Sequence, residues 1–261
     1  MMLPKPEWFG EKYASAFQEP SVARAYQYRP PYPDAAIAAL ADLMTGTPRR
    51  ALDVGCGTGF IARHLAQLAD HVDALDVSQA MIDEGRRLLN GDHPCLSWIV
   101  GRAEDAPLSP PYELITAGDS LHWLDWEVAL PRFARLLAPN GWLAIVQNVQ
   151  LPVPWDAELL PIIQRYSIYQ KYQPIDIVAE LEQRGLFRKH GETRTGPVAF
   201  TQPVDEYIES FHGRASLARE RIAAEAAAFD AEVRHLVSRF DPQLVQLQVV
   251  GDITWGKPLA G

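Results

Sequence analysis

The spacing of hydrophobic residues changes several times along the chain, and each change marks an element. From about residue 49 to 148, short apolar runs alternate with stretches of helical spacing. Ala51–Val54, Val72–Asp76, Leu96–Val100, Tyr112–Ala117 and Trp142–Gln147 read as five strands. Between and before them, Asp34–Leu43, Ile61–Leu68 and Gln79–Leu89 read as helices, the last with Ser78 as its N-cap. Pro131 interrupts 126–138, so that helix is expected to start near Leu130 with proline in its first turn, and Pro139-Asn140-Gly141 to stop it. Strand and helix alternating through short loops predict βαβ units, a parallel sheet and right-handed crossovers.

After Gln150 the pattern changes. Leu151–Trp155 is a proline-rich connector. Asp156 can cap a helix running to about Lys171, and Ile175–Arg184 gives another that Gly185 would end. Gly191–Gln202 reads as a strand, Val204–Phe211 as a helix, Ser216–Phe240 as one long alanine-rich helix and Leu244–Trp255 as a last strand. The N-terminus has too many aromatics for an idle tail: Trp8, Phe9, Tyr13, Phe17, Tyr26, Tyr28 and Tyr32. Ser21–Gln27 can be helical with Ser21 as cap, and Arg29-Pro30-Pro31-Tyr32-Pro33 must be extended. That segment is either an aromatic flap on the core or a lid over a ligand. The expected organisation is a lid over 1–48, a ligand-binding core over 49–150, a cap over 151–240 that builds a substrate pocket, and a final strand over 241–261.

Composition narrows the function. The 261 residues are 48% hydrophobic, enough for a full core, with formal net charge −9 and pI about 5.3. No basic block exists, which argues against nucleic acid as a partner. Cys56 and Cys95 stand far apart without CxxC spacing, so they suggest neither a metal site nor a disulfide framework. No leader-like or membrane-length apolar run is seen, so the expectation is a cytoplasmic protein with no membrane partner.

The chemistry concentrates in Ala51–Phe60. A strand ends near Asp53, and Gly55, Gly57 and Gly59 follow at every second position before a helix. Glycines there admit positive φ and let the backbone approach a ligand. A dinucleotide site asks for G-x-G-x-x-G. Here the spacing is G-x-G-x-G, and Phe60 stands where the last dinucleotide glycine would be. A carboxylate at Asp53 would repel a pyrophosphate and suit an ammonium group. Asp76 ends the second strand seventeen residues after Gly59, where an acid can accept hydrogen bonds from ribose hydroxyls or cap a helix.

These residues resemble the first motif of the class I S-adenosylmethionine (SAM)-dependent methyltransferases. Further likenesses narrow the branch. Tyr26–Pro33 resembles a Y-x-x-(x)-R-P-x-Y-P signature, Gly101–Leu108 a G-x-A-E-x-L-P segment, and Leu121-His122-Trp123 a loop of small-molecule methyltransferases (type 11, including trans-aconitate methyltransferase-like proteins). The resemblance implies an α/β fold with a Rossmann-like sheet, helices on both faces and a mainly helical cap after strand five. It implies SAM as cofactor, S-adenosylhomocysteine (SAH) as product, and a small-molecule acceptor, carboxylate or hydroxyl, rather than nucleic acid. Cofactor contacts would come from Tyr26, Arg29, Asp53, Gly55, Gly57, Thr58, Gly59, Asp76, Val77, Met81, Ala103, Glu104 and Ala117. Arg29 would pair with the cofactor's carboxylate, and Ala103 and Glu104 would meet its adenine. Arg102, where relatives carry Asp, is either an adenine contact or plain surface. His122 is either a general base toward the acceptor or a pocket-shaping histidine. Tyr166, Tyr169, Tyr172, Phe211, His212 and Arg214 are candidates to line the acceptor pocket. No metal is expected. Two other readings stand beside the enzyme: a SAM-binding protein that does not methylate, and a nicotinamide-dependent reductase.

Overall fold

The central apolar runs, Arg50–Val54, His71–Asp76 and Tyr112–Gly118, form strands whose faces are both covered. The strands are β1 (Arg50–Val54), β2 (His71–Asp76), β3 (Leu96–Val100), β4 (Tyr112–Gly118), β5 (Leu137–Gln150), β6 (Phe187–Arg194), β7 (Val198–Pro203) and β8 (Leu244–Pro258). The computed structural model describes residues 5, 9–169, 175–241 and 243–259. Trp8, Tyr172 and Lys171 lie outside them; the helix expected to reach about Lys171 ends at Tyr166, with Ser167 extended.

The strands form one sheet in the order β3-β2-β1-β4-β5-β8-β6, with β7 also paired to β8. The first five are parallel and β8 is antiparallel to β5, β6 and β7. Strand order reverses between β1 and β4, and in such sheets ligands bind in the crevice outside the carboxyl ends at that point.

The helices are α1 (Glu11–Ala14), α2 (Pro20–Tyr26), α3 (Asp34–Asp42), α4 (Phe60–Leu65), α5 (Gln79–Gly85), α6 (Trp126–Leu136), α7 (Asp156–Tyr166), α8 (Ile177–Gln183), α9 (Val204–His212), α10 (Arg219–Ile222) and α11 (Ala226–Val237). Side chains alternate across a strand, so β1 feeds two cores. Leu52 and Val54 pack with Trp126, Leu130 and Phe133 of α6 and Leu181 of α8. Ala51 faces the other way, with Ile37 and Leu40 of α3 and Ile61 and Leu65 of α4. Each such fully buried Leu, Ile or Phe stabilises the fold by about 1.5–3 kcal/mol. A third cluster joins α7, α9 and α11 to β8 through Leu159, Tyr207, Phe211, Phe229, Val245 and Leu247.

Several boundaries differ from the sequence expectation. Helix α6 starts at Trp126, so Pro131 lies inside it. The N–H that Pro131 lacks would have met the Glu127 carbonyl in the first turn. Glu127 is exposed, so water can take the partner's place, while burial of Trp126 favours the early start. The helix runs directly into β5, and Pro139-Asn140-Gly141 sits in an irregularity where Leu137 pairs Tyr112 and Trp142 pairs Leu114. Helix α2 starts at Pro20; Ser21 does not cap it but donates its hydroxyl to Glu220 at 2.5 Å. Helix α5 ends at Gly85. Asp156 is the first residue of α7, and its carboxylate accepts from the Val153 N–H at 2.8 Å.

The strand expected over 191–202 is two, broken at Thr195-Gly196-Pro197 but laid along the same edge of β8. The long helix expected over 216–240 is broken at Ala218, which is extended (ψ 134°), and again at Ala223, whose φ is +34°. Leu217, Ile222 and Phe229 all enter one cluster. Leu217 and Ile222 are five positions apart, which does not match the 3.6-residue repeat, and the extended Ala218 between them lets both face the cluster.

Candidate functional site

The glycine turn joins β1 to α4 with Gly55, Gly57 and Gly59 at φ +61°, +57° and +72°. An L side chain rarely adopts these values. The three glycines differ in surroundings. A Cβ on Gly55 would meet the Ser120 Cβ at 2.6 Å, and one on Gly59 would overlap the Trp98 ring. Gly57 is roomier: its nearest neighbour would be the Tyr26 ring at 3.6 Å. The two outer glycines are therefore required by packing, and the middle one borders open space beside Tyr26. Thr58 is buried behind the turn.

Two acids brace the turn. Asp53 is buried; it accepts from the Thr116 hydroxyl at 2.8 Å and the Ala62 N–H at 3.2 Å. Burial pushes its carboxyl up to about 7 despite those donors. Asp76 accepts from the Gly57 N–H and the Ser78 N–H, each at 2.8 Å, so one carboxylate ties the end of β2 to the middle glycine. Burial raises its pKa, with the backbone donors opposing. Ser78 caps α5, accepting from the Met81 N–H at 3.1 Å and donating to the Phe17 carbonyl at 2.6 Å. Val77 beside Asp76 is half exposed, at 49%.

Met81 is buried among Ala16, Val22 and Ala23. Ala103 and Ala117 are buried in the sheet's core. Glu104 accepts from the Asp125 N–H at 2.8 Å and so holds the start of α6, and it pairs with exposed Arg102 at 3.4 Å.

The N-terminal segment crosses the same region. Arg29 donates to the Tyr26 hydroxyl at 3.2 Å, and its guanidinium lies 5.0 Å from the centre of that ring. Burial works against the Arg29 charge, but Tyr26, Asp119 and Tyr32 overcome it, so its pKa rises. Tyr32 donates to Asp119 at 2.8 Å, and Asp119 also accepts from the Asn148 N–H at 3.2 Å. The Asn148 side chain donates to the Pro30 carbonyl at 2.5 Å. Asp119 has φ +48°, a value Asp tolerates better than most residues.

His122 follows in a short 3₁₀ turn, Leu121–Trp123, with the rings of Phe9 and Trp123 at 4.9 and 4.6 Å. Burial first, then the charges of Lys5 and Arg29, lower its pKa to about 4. A cavity of about 190 Å³ opens here, lined by Phe9, Asp119, His122, Trp123, Gln147 and Tyr169 among others. At Gln147, Ile175 and Ile177 it adjoins a trough of about 720 Å³ along α8 and β8.

The structure thus brings Tyr26, Arg29, Gly57, Asp76 and His122 to one end of the sheet. Of the residues expected to line an acceptor pocket, Tyr169 borders the cavity. Tyr166 instead donates to Glu232 at 2.7 Å, away from it. Phe211 is buried in the α7–α9–α11 cluster. His212 is buried and held by the Leu217 carbonyl and Asp230, both at 2.7 Å. Sequence reasoning missed Asp119, Tyr32 and Gln147. The signals were present: an acid after Gly118 at a strand end, and a glutamine closing the run Ala144-Ile145-Val146. Among the described residues no group of three His, Cys, Asp or Glu is placed to hold a metal, and no helix is long and apolar enough to cross a membrane.

Residues 51–141 match the family model described as a methyltransferase domain. An uncharacterized methyltransferase of Mycobacterium tuberculosis is 34% identical over 148 residues, 56% of this chain and 58% of that one. A trans-aconitate 2-methyltransferase of Methylobacterium nodulans is 36% identical over 122 residues, 44% of each chain. The chain thus spans little more than half the length of the first of these relatives. In fold it resembles a structure from Anaeromyxobacter dehalogenans described as a type II methyltransferase by inference (TM-score 0.62, 24% identity, 89% of this chain and 99% of that one). It also resembles a Haemonchus contortus phosphoethanolamine N-methyltransferase solved with phosphomonomethylethanolamine and SAH (TM-score 0.52, 16% identity, 98% of this chain and 62% of that one).

Proposed function

We propose, from the match of residues 51–141 to a methyltransferase domain, that the chain transfers the methyl group of SAM to a small-molecule acceptor. The observation that carries this is a juxtaposition. The glycine turn and Asp76 form one wall, and the cavity of Asp119, His122 and Gln147 adjoins it at the carboxyl ends of β1 and β4.

The residues present fit the cofactor. Gly57 leaves space beside Tyr26 that a bulkier residue would narrow. Each Asp76 oxygen accepts one backbone N–H and keeps a lone pair for a ribose hydroxyl. Arg29 carries a charge suited to the carboxylate of the methionine part. Val77 offers an apolar face for the adenine, and Ala103 and Glu104 stand on the next loop. Met81, Thr58, Asp53 and Ala117 support this wall from behind. SAM supplies an electrophilic methyl group on a sulfonium, and leaves as a neutral thioether.

The chain's own task is then to position the acceptor and to exclude water. The Tyr32–Asp119–Asn148 contacts fix the loop that bears His122. With its pKa near 4, His122 stays neutral at ordinary pH and is a weak base. A carboxylate acceptor, which needs no deprotonation, suits such a site better than a phenol does. The Methylobacterium relative's name points the same way.

Calorimetry with SAM and SAH, followed by turnover with a panel of small acids and phenols, tests the proposal. Binding of both cofactor forms and methylation of a small acid are expected. Tight SAH binding with no turnover of any acceptor would leave a binding protein instead.

A further inference from the structure

Among the described residues that line the cavity beside His122, Asp119 is the one that carries a charge, since His122 is neutral at ordinary pH. The rings of Phe9, Trp123 and Tyr169 and the amide of Gln147 share the lining. The Asp119 carboxylate is half used. The Tyr32 hydroxyl and the Asn148 N–H both donate to Oδ2, at 2.8 and 3.2 Å. Oδ1 accepts from no described residue and is not sealed in protein. Burial raises the pKa of this carboxyl, with Arg29, Tyr32 and the Asn148 N–H opposing, so a cation beside it would restore what burial takes away.

The neighbouring cations do not fill that place. Lys5 donates to the Leu124 carbonyl at 2.7 Å and lies in the field of Asp125 and Glu104. Arg29 is held by Tyr26. With the cofactor's carboxylate on Arg29, that charge is matched and the charge of Asp119 is not. Arg214 has its guanidinium 4.8 Å from the centre of the Phe211 ring and lines neither the cavity nor the adjoining trough. The trough has the same sign as the cavity. Its two described cations are paired, Lys189 with Glu192 at 2.6 Å and Arg194 with Asp252 at 2.5 Å. Asp176 caps α8 and Glu182 accepts from the Lys189 N–H, and neither has an ion pair among the described residues. A molecule that approaches Gln147 along the trough therefore meets a negative field, which draws in cations.

We propose that Asp119 is the seat of an ammonium group on the methyl acceptor, which is therefore an acid of the amino-acid class, carrying both charges. The inference rests on the methyltransferase reading of the same site. An ammonium suits the place in two ways. It can donate a charge-assisted hydrogen bond to Oδ1. Its charge is also attracted to the faces of aromatic rings, and three rings share this lining. A second carboxylate or a phosphate in the same position would face Asp119 with like charge.

Calorimetry on the full chain, with SAH present, tests the seat. The probes pair acids with and without the positive charge: 4-aminobutyrate with butyrate, and phenylalanine with 3-phenylpropionate and N-acetylphenylalanine. At least one amino acid should bind, and its uncharged counterpart at least about 10-fold more weakly. Asp119→Asn keeps an oxygen for Tyr32 and the Asn148 N–H. It should weaken the amino acid by about 10- to 100-fold while the counterpart binds as well as before or better, which a general loss of structure would not produce. SAH affinity and Tm should match wild type. No binding of any amino acid, a counterpart binding as tightly as its amino acid, or unchanged amino-acid affinity in Asp119→Asn would each overturn the seat. So would an equal loss of SAH affinity at unchanged Tm, which would put the cofactor's own ammonium on Asp119. If the variant does not fold, the wild-type pairs decide, since equal affinity within each pair sinks the proposal. If wild type binds amino acids through Asp119 but does not bind SAH, the methyltransferase reading falls and the seat stands.

Discussion

Replacing Asp53 by Asn separates the two roles a buried acid can have at the glycine turn. Its oxygens face Thr116 and the Ala62 N–H, and burial has moved its pKa from 3.8 to about 7. The native state thus holds a proton that the unfolded chain releases above pH 4. The sign follows. Between pH 4 and 7 the unfolded chain binds fewer protons, so this group's contribution to stability falls as pH rises, and it levels off above 7. A shift of about 3 units corresponds to at most about 4 kcal/mol.

Asn removes this term and keeps the geometry. Its oxygen can accept from Ala62 and its amide can donate to the Thr116 oxygen, leaving that hydroxyl to turn to the Leu52 carbonyl at 3.5 Å. Urea unfolding followed by tryptophan fluorescence from pH 4.5 to 8 reads the difference. Wild type should lose stability relative to Asp53→Asn across that range, by about 3 kcal/mol. Parallel profiles for the two proteins would refute the reasoning. SAM affinity supplies a second readout. Since both oxygens face the scaffold, the variant should bind SAM as wild type does; a loss would give the carboxylate a part in holding the cofactor's ammonium group.

The other expectations concern neighbouring positions. Gly57→Ala should cost about 1–2 kcal/mol of backbone strain and weaken SAM binding in calorimetry, whereas Gly59→Ala, which adds a clash with Trp98, should show the larger drop in Tm; equal drops would contradict the difference in surroundings. Asp76→Ala should weaken SAM binding by about 1–3 kcal/mol, and undiminished affinity would remove Asp76 from the cofactor's contacts. His122→Asn should lower turnover of the acceptor without changing SAM affinity, and the wild-type rate profile should show no histidine limb between pH 5 and 8, because the ring is already neutral there; an inflection near 6.5 that the variant abolishes would restore His122 as a titrating base.

The core was legible in sequence wherever one physical cause dominated. Five strands could be read because each is a short apolar run set between helical or loop stretches. The glycine turn could be read because three positions need positive φ, a demand that few residues other than glycine meet. What could not be read depends on distant partners. Nothing local says that Glu104 holds the start of α6, that Asp119 joins Tyr32 to β5, or that Ser21 reaches Glu220. The breaks at Ala218 and Ala223 were hidden because alanine favours helix on its own, and the packing of Leu217 and Ile222 on one cluster across Ala218 overrides that preference.

Strand β8 has a consequence for how the chain is made. It closes the edge of β5, and its other side carries both β6 and β7. All three must wait for residues 244–258, which leave the ribosome after every other described strand. Until then the long β5 shows an unpaired edge, which invites pairing with another chain. A nascent or truncated polypeptide lacking β8 would therefore hold a nearly finished parallel half beside two orphaned strands. Such species depend on chaperones, and stop codons upstream of residue 244 should yield aggregates rather than a smaller folded domain.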